Sequence, residues 1–548
     1  MTINYKKLSL FISFCFSLYF VKEANFLFYN STDSPDFDKY SVYFEYLFNN
    51  ISSTGREQGL FYYYIQSWFF YMNYSNFENL SFFTLLHKSI QEVNFILFLI
   101  GLAGFYKLLR FFKFDYYSTV STLIVINFLP LSIAQRIVFK PEILTFAFLP
   151  WIIFSLEKFK KEKKFIYLFS ALPLLVLSSA SKGSIFVMMG AFLAIFYAKE
   201  LLSLNLKNIG ILVFVFLIFF GSLINEDINS NGKNLIEVES GASTNLEYDF
   251  KAPVNIIYKI HIYELVSSPI KNNHSDSFIA ISLLDTFGDY YDIYWDNDSS
   301  LYFKNRREVL LFEESNEIKA PKYNSSNKSL TIYLQNLTDT YYRKFFGMVL
   351  SLSFYFLLFR EIKKKNNKEI RKFLIAPLIG MSVLLIHIIT GFPVNNFNPN
   401  LGDTLKPLYY AHFFLLAAAF LIVKIFQSSL RNKILVLPYL FIALLIIGFP
   451  KNVDSEMVRD ITQVNSYSNT CTLNNAILSI FDYTEDNKCI KAGVTRQNEY
   501  DFMIYENYNI KPRFKIINTF IGLSAVFSLF ALIFDKKSLR FLRFRKVK

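Results

Sequence analysis

The chain is patterned as a series of long apolar runs separated by polar segments of two kinds. Runs near residues 8–21, 91–109, 117–134, 142–157, 165–181, 183–199, 208–224, 345–359, 373–390, 407–424, 433–449 and 515–534 are each apolar enough to read as a membrane helix. Together they predict about twelve spans. Two shorter segments have a different character. Tyr40, Tyr43, Phe44, Leu47 and Phe48 fall at i, i+3, i+4, i+7 and i+8, the spacing of one helix face. That amphipathic piece is expected to lie on a surface. Leu60 to Met72 is apolar nearly all round, yet its ~20 Å reach is shorter than the ~30 Å hydrocarbon core, so it is expected to sit in the interface or dip in and return.

Charge decides how the runs alternate across the membrane. Lys6 and Lys7 precede the first run, and no small-residue cleavage site follows it, so it reads as an uncleaved first span. Arg110/Lys113, Lys158 to Lys164, Lys199/Lys207, Arg360 to Lys372, Lys424 to Lys433 and Lys536 to Lys548 then fall on one side, the cytoplasmic one by the positive-inside rule, along with both termini. A span at 60–72 would place every later cluster on the wrong face. The other side carries three long pieces, 29–90, 225–343 and 450–513, and all the Asn-x-Ser/Thr sequons, at Asn30, Asn50, Asn73, Asn79, Asn273, Asn297, Asn324, Asn327 and Asn336.

The predicted fold is therefore an all-α polytopic membrane protein with interfacial helices and a small α/β or irregular portion. Its parts are an N-terminal membrane module (1–224), a large loop (225–343), C-terminal membrane helices (344–449), a second loop or small domain (450–513), and a last helix with a basic tail (514–548). Composition agrees: of 548 residues 53% are hydrophobic and only 18% charged. The net charge of +13 lies in short clusters between apolar runs, with no basic face or recognition motif for nucleic acid. Of three cysteines, Cys15 falls within the first span, while Cys471 and Cys489 share one outside loop, where an oxidising compartment favours a bridge.

Four constellations carry candidate chemistry. Asp33, Asp36 and Asp38 cluster directly after the first span, in front of aromatic helices that would shield them from water; a partly desolvated carboxylate is a better general base. Arg136, Lys140 and Glu142 occupy a short outside turn between two spans, where cations either snorkel or hold an anion such as a lipid phosphate. Glu142 would orient one of those cations or ligate a metal. In the large loop, Asp289, Tyr290, Tyr291 and Trp295 mix acids with aromatic rings, a surface that either stacks on sugars or packs a loop. Lys406, entering a span from outside, snorkels or binds phosphate; His387 and His412 within helices read as core residues. Phosphate-binding Gly-rich loops, HExxH and GxSxG are all absent, so the energy for any reaction must come from the substrate.

These motifs and their order resemble the membrane glycosyltransferases of the GT-C fold, the superfamily of protein mannosyltransferases and aminoarabinose transferases. Pro35-Asp36-Phe-Asp38-Lys-Tyr40 resembles the family's acidic motif after the first span, with Phe37 in place of a second acid. Gly59 to Trp68 is similar to the interfacial helix that follows, and Lys140-Pro-Glu142 to a Lys/Arg-Pro-Glu turn. The resemblance covers roughly the first 200 residues. It implies a polyprenyl-phosphate-linked sugar as donor, a lipid, glycan or protein acceptor, and transfer outside the cytosol. The topology suits either a bacterial inner membrane or the endoplasmic reticulum, the first being the expectation. Asp36 would then be the general base, with Arg136, Lys140 and Lys406 on the donor phosphate. No cofactor is implied, unless Asp36 and Asp38 act as a metal-binding DxD pair. A polyprenyl-linked glycan polymerase or ligase would show paired arginines outside, for which Arg306-Arg307 is a thin match. A twelve-helix secondary transporter would show inverted repeats and mid-membrane ionisable groups instead.

Overall fold

The computed structural model describes residues 5–28, 40, 43, 44, 47, 59–76, 82–231, 260, 262–267, 277–287, 340–364, 368–389, 407–428 and 512–533. Among them the regular structure is entirely helical: α1 (Tyr5–Phe28), α2 (Phe61–Asn76), α3 (Phe82–Phe111), α4 (Tyr116–Asn127), α5 (Pro130–Ile137), α6 (Glu142–Glu162), α7 (Phe165–Ala180), α8 (Gly183–Leu202), α9 (Leu206–Asn231), α10 (Ile262–Ser267), α11 (Phe278–Phe287), α12 (Thr340–Lys363), α13 (Arg371–Ile389), a 3-10 turn (Pro407–Tyr410), α14 (Ala411–Gln427) and α15 (Pro512–Ile533). Every apolar run read from the sequence coincides with one of these helices, except 433–449, which lies outside the described residues.

Four helical stretches are long and apolar enough to cross a membrane: Leu86–Phe111, Gly183–Leu202, Phe345–Lys363 and Lys515–Ile533. The run at 117–134 is not one straight helix. Pro130 opens α5 at its first turn, where its missing N–H costs nothing, and α4 and α5 meet at 61°; counted together they make a fifth candidate span. Outer faces are apolar: Phe186 and Ile195 on α8, Phe214 and Leu217 on α9, Phe356 on α12, and Phe520 and Phe527 on α15 are exposed. An exposed apolar belt of this kind fits a lipid bilayer.

The two central helices are α3 and α6. Gly101 of α3 lies where an added Cβ would stand 2.5 Å from the Phe146 ring of α6, and Gly104 does the same under Trp151, so the two helices approach closely. Trp151 Nε1 donates to Ile100 O across that contact, and the rings of Phe98 and Phe146 stack with centroids 4.9 Å apart. Helices α7, α13, α14 and α15 pack around this pair, and residues from both halves of the sequence share one core.

Helix α6 gives the bundle two charged ends. Its 21 residues extend ~30 Å, about the thickness of the hydrocarbon core. At the Glu162 end, Tyr116 Oη donates to Lys7 O, Lys107 to Ile533 O and Gln427 to Asp115, while Lys372 pairs with Glu157 and Lys160 with Glu200. All of these residues belong to helix ends that the charge pattern assigns to one face. At the Glu142 end, Gly59 N donates to Ala180 O and Tyr64 Oη shares a proton with Thr519 Oγ1, joining ends assigned to the other face.

Helix α2 packs one face into the bundle: Tyr62, Tyr63, Gln66, Ser67 and Phe70 are fully buried, with Trp68 and Met72 left exposed. The Tyr62 hydroxyl and the Ser67 hydroxyl find hydrogen-bond partners there. Cys15 lies on the exposed side of α1. Asn73 is 5% exposed and its Nδ2 donates to Ser89 Oγ and Glu92 Oε2, so this sequon is used internally and has no room for a glycan. No strand occurs among the described residues, and the loops expected to hold the α/β or irregular portion fall largely outside them.

Candidate anion site at the Glu142 end

The site is built on the turn between α5 and α6. The α5 helix ends at Ile137, Val138 turns extended, and Pro141 caps α6, so that Arg136, Lys140 and Glu142 fall within seven residues at one end of the bundle. Asn94 of α3 holds this turn. Its Nδ2 donates to Arg136 O and Val138 O, both at 3.0 Å, and its Oδ1 accepts from Tyr62 Oη at 2.7 Å. Burial raises the phenols of Tyr62 and Tyr63 well above their usual range, so both remain protonated.

All three ionisable side chains of the turn are buried, Arg136 at 2%, Lys140 at 3% and Glu142 at 0% exposure. They therefore do not snorkel to open solvent. Arg136 is held on the α4 side, where its Nη2 donates to Asn127 O at 2.9 Å and its guanidinium lies 4.6 Å from the Phe98 ring. Lys140 sits between two tyrosines, its Nζ 5.5 Å from the Tyr40 ring and 5.6 Å from the Tyr409 ring. Glu142 opens α6, where the helix dipole favours its negative charge.

A residue that sequence reasoning passed over completes the group. Lys182, in the tight connection between α7 and α8, is 8% exposed; its Nζ stands 3.5 Å from Glu142 Oε1 and 3.6 Å from the centroid of the Tyr409 ring. Burial opposes its charge, but the Tyr409 ring and the Glu142 carboxylate favour it, and the net shift is upward, so the ammonium persists. Its signal in the sequence was a lone cation in the short Ser178-Ser-Ala-Ser-Lys-Gly-Ser184 connection between two apolar runs. The second oxygen of Glu142 is buried and has no hydrogen-bond partner among the described residues.

The aromatic wall behind the cations comes from the first outside segment. Tyr40 packs edge-on to Phe139 at 6.3 Å, Tyr43 against Tyr63 at 5.7 Å, and Tyr63 against Phe139 at 5.5 Å. Tyr40, Tyr43, Phe44 and Leu47, which share one face at helical spacing, are all buried against the bundle. An apolar crevice of about 180 Å³ runs between α2, α3 and α15, lined by Phe61, Ile65, Ile96, Gly522 and Leu529 among others. A larger depression of about 510 Å³, polar and open, lies at the other end around Asp115, Ser118 and Gln427, away from the cations.

Of the sequence candidates, the structure brings Arg136, Lys140 and Glu142 together. Asp33, Asp36, Asp38, Asp289, Tyr290, Tyr291, Trp295, Lys406, Cys471 and Cys489 lie outside the described residues, as does Arg306-Arg307. His412 is a buried core residue against Phe413. Among the described residues no group of three or more His, Cys, Asp or Glu is placed to hold a metal ion. No family model, no curated protein and no solved structure matches the chain.

Proposed function

We propose that the protein is an inverting glycosyltransferase of the GT-C type, which moves a sugar from a polyprenyl-phosphate donor to an acceptor on the extracytoplasmic side of the membrane. The observation that carries this reading is the buried pair of Lys140 and Lys182 at the Tyr409 ring, beside Tyr40, with Arg136 buried in the same turn. Buried cations concentrated at one end of an apolar bundle suit a phosphate delivered on a lipid.

Asp38 and Asp36 precede Tyr40 by two and four residues, a reach of at most about 7 and 14 Å, and Lys406 precedes Tyr409 by three. In this reading Asp36 takes the proton from the acceptor hydroxyl, whose oxygen bonds to the anomeric carbon. The bond from that carbon to the phosphate oxygen breaks, and its electron pair leaves on polyprenyl phosphate. One base and no covalent intermediate invert the configuration. The full bundle in this reading has about twelve spans with both termini cytoplasmic, in a bacterial inner membrane.

The test is transfer from a panel of radiolabelled polyprenyl-phosphate sugars by the purified protein in detergent, wild type beside Asp36→Asn, with and without chelator. Transfer lost in the variant and indifferent to chelator is the expected result. Loss with chelator replaces the metal-free base by an Asp36/Asp38 metal pair. Transfer retained by Asp36→Asn removes Asp36 as the base, and no transfer from any donor removes the transferase reading.

A further inference from the structure

We propose that Glu142 is a built-in stand-in for the second phosphate charge: it holds Lys182 until the leaving group forms and then releases it to the phosphate. The proposal rests on the phosphate-donor reading above and adds to it a residue and a role.

Three observations carry it. The Lys182 to Glu142 contact is 3.5 Å, longer than a good charge-assisted hydrogen bond of ~2.8 Å, although both groups are buried. At that distance the ammonium is not committed to the carboxylate alone and is open to a second direction. That direction is given by Tyr409: Lys182 sits 3.6 Å over its ring, and the same ring faces Lys140 at 5.6 Å. Finally, the other oxygen of Glu142 is buried with no partner among the described residues, so this carboxylate is not locked into a structural network on its far side.

The chemistry supplies the reason for an exchange. A polyprenyl-phosphate sugar is a phosphodiester with one negative charge, whereas the departing polyprenyl phosphate is a monoester that carries close to two at pH 7. The second charge develops as the bond to the anomeric carbon breaks. A cation that is satisfied by Glu142 in the ground state and turns to the phosphate only as that charge appears stabilises the transition state more than the bound donor. After transfer, Glu142 competes for Lys182 again and helps the doubly charged product to leave. Lys140, 5.6 Å from the same Tyr409 ring, would hold the charge that donor and product have in common.

This predicts opposite signs for the two partners of one ion pair. The probes are a short-chain isoprenyl phosphate, its methyl ester and the parent alcohol, with affinities measured on the full chain in detergent. Wild type is expected to bind the phosphate better than the ester, and the ester better than the alcohol. Lys182→Gln should weaken the phosphate roughly 10- to 100-fold and the ester much less, the range of a lost charge-assisted hydrogen bond. Glu142→Gln, nearly isosteric, should tighten the phosphate about 3- to 10-fold by removing the competitor, with Lys182→Arg retaining most of the wild-type affinity.

A merely structural pair gives the same sign for both: Glu142→Gln that weakens phosphate binding, or Lys182→Gln that leaves it unchanged, overturns the proposal while the wild-type preference for phosphate leaves the donor reading standing. If wild type binds phosphate, ester and alcohol alike, the donor reading fails and the proposal with it. Should Lys182→Gln not fold, as judged by its melting curve, the sign of the Glu142→Gln effect decides alone.

Discussion

Asn94 is the single side chain on which the geometry of the anion site turns, and replacing it by leucine of similar size tests that directly. The substitution removes two donors, to Arg136 O and Val138 O, and the acceptor of the Tyr62 hydroxyl. Hydrogen bonds between membrane helices average ~0.6 kcal/mol and reach ~1.7, because the unfolded chain in lipid also finds partners; three of them amount to about 2 kcal/mol. Two carbonyls and a phenol left unpaired in a buried site raise the cost to roughly 2–4 kcal/mol. Tyr62→Phe removes one bond of the three and leaves the turn anchored, so its cost is about 0.6–1 kcal/mol. Melting curves of the purified protein in detergent should therefore rank wild type above Tyr62→Phe and Tyr62→Phe above Asn94→Leu, with several degrees between the last two. Affinity for an isoprenyl phosphate should fall in Asn94→Leu as well, since the turn that carries Lys140 and Glu142 is no longer held to α3. An Asn94→Leu protein that melts with wild type and binds phosphate normally would show that the α5–α6 turn is positioned by packing alone, and the argument that Asn94 organises the site would be wrong.

Other consequences concern the fold and its orientation. Glu162, at the far end of α6, accepts from Tyr167 Oη and pairs with Lys158 and Lys164; burial opposes its charge, but these partners outweigh it and push its carboxyl down to about 2. A carboxyl depressed on folding contributes stability above its unfolded value of ~4.3 that is lost as the pH falls toward about 2, so wild type should lose melting temperature over that window and Glu162→Gln should lose less. Gly101→Ala places a Cβ 2.9 Å from the Phe146 carbonyl oxygen as well as against its ring, and should cost roughly 1–3 kcal/mol by forcing α3 and α6 apart; an unchanged melting temperature would mean that the two helices can separate freely. In a background without other cysteines, Lys163→Cys and Lys207→Cys should react with an impermeant maleimide only after the membrane is opened, whereas Asn324→Cys should react from outside in intact cells. The reverse pattern would invert the orientation.

What the sequence made legible, and what it hid, follows from how far apart the interacting residues lie. The helices were readable because a run of apolar residues is a local property, and the rows of charge at their ends sort them into two faces that do meet in the structure: Lys7 with Tyr116, Glu157 with Lys372. The break at Pro130 was also locally written, since a proline after Asn127-Phe-Leu suits the first turn of a new helix better than the middle of an old one, but hydropathy averaged over 117–134 conceals it. The site divides along the same line. Arg136, Lys140 and Glu142 could be picked out because they stand together in a turn where charge is costly. Lys182 stands forty residues beyond Glu142, Tyr409 comes from a 3-10 turn far along the chain, and Asn94 reads as one more polar residue in a span. Only the packing of α3 against α6 and of α7 and α8 behind them converts these three into a brace, a second cation and a ring that both ammoniums approach. The polar residues that the apolar runs seem merely to tolerate are thus the ones by which the helices recognise each other. Tyr62 and Asn73 of α2 turn inward onto such partners, Asn94 for the one and Ser89 and Glu92 for the other.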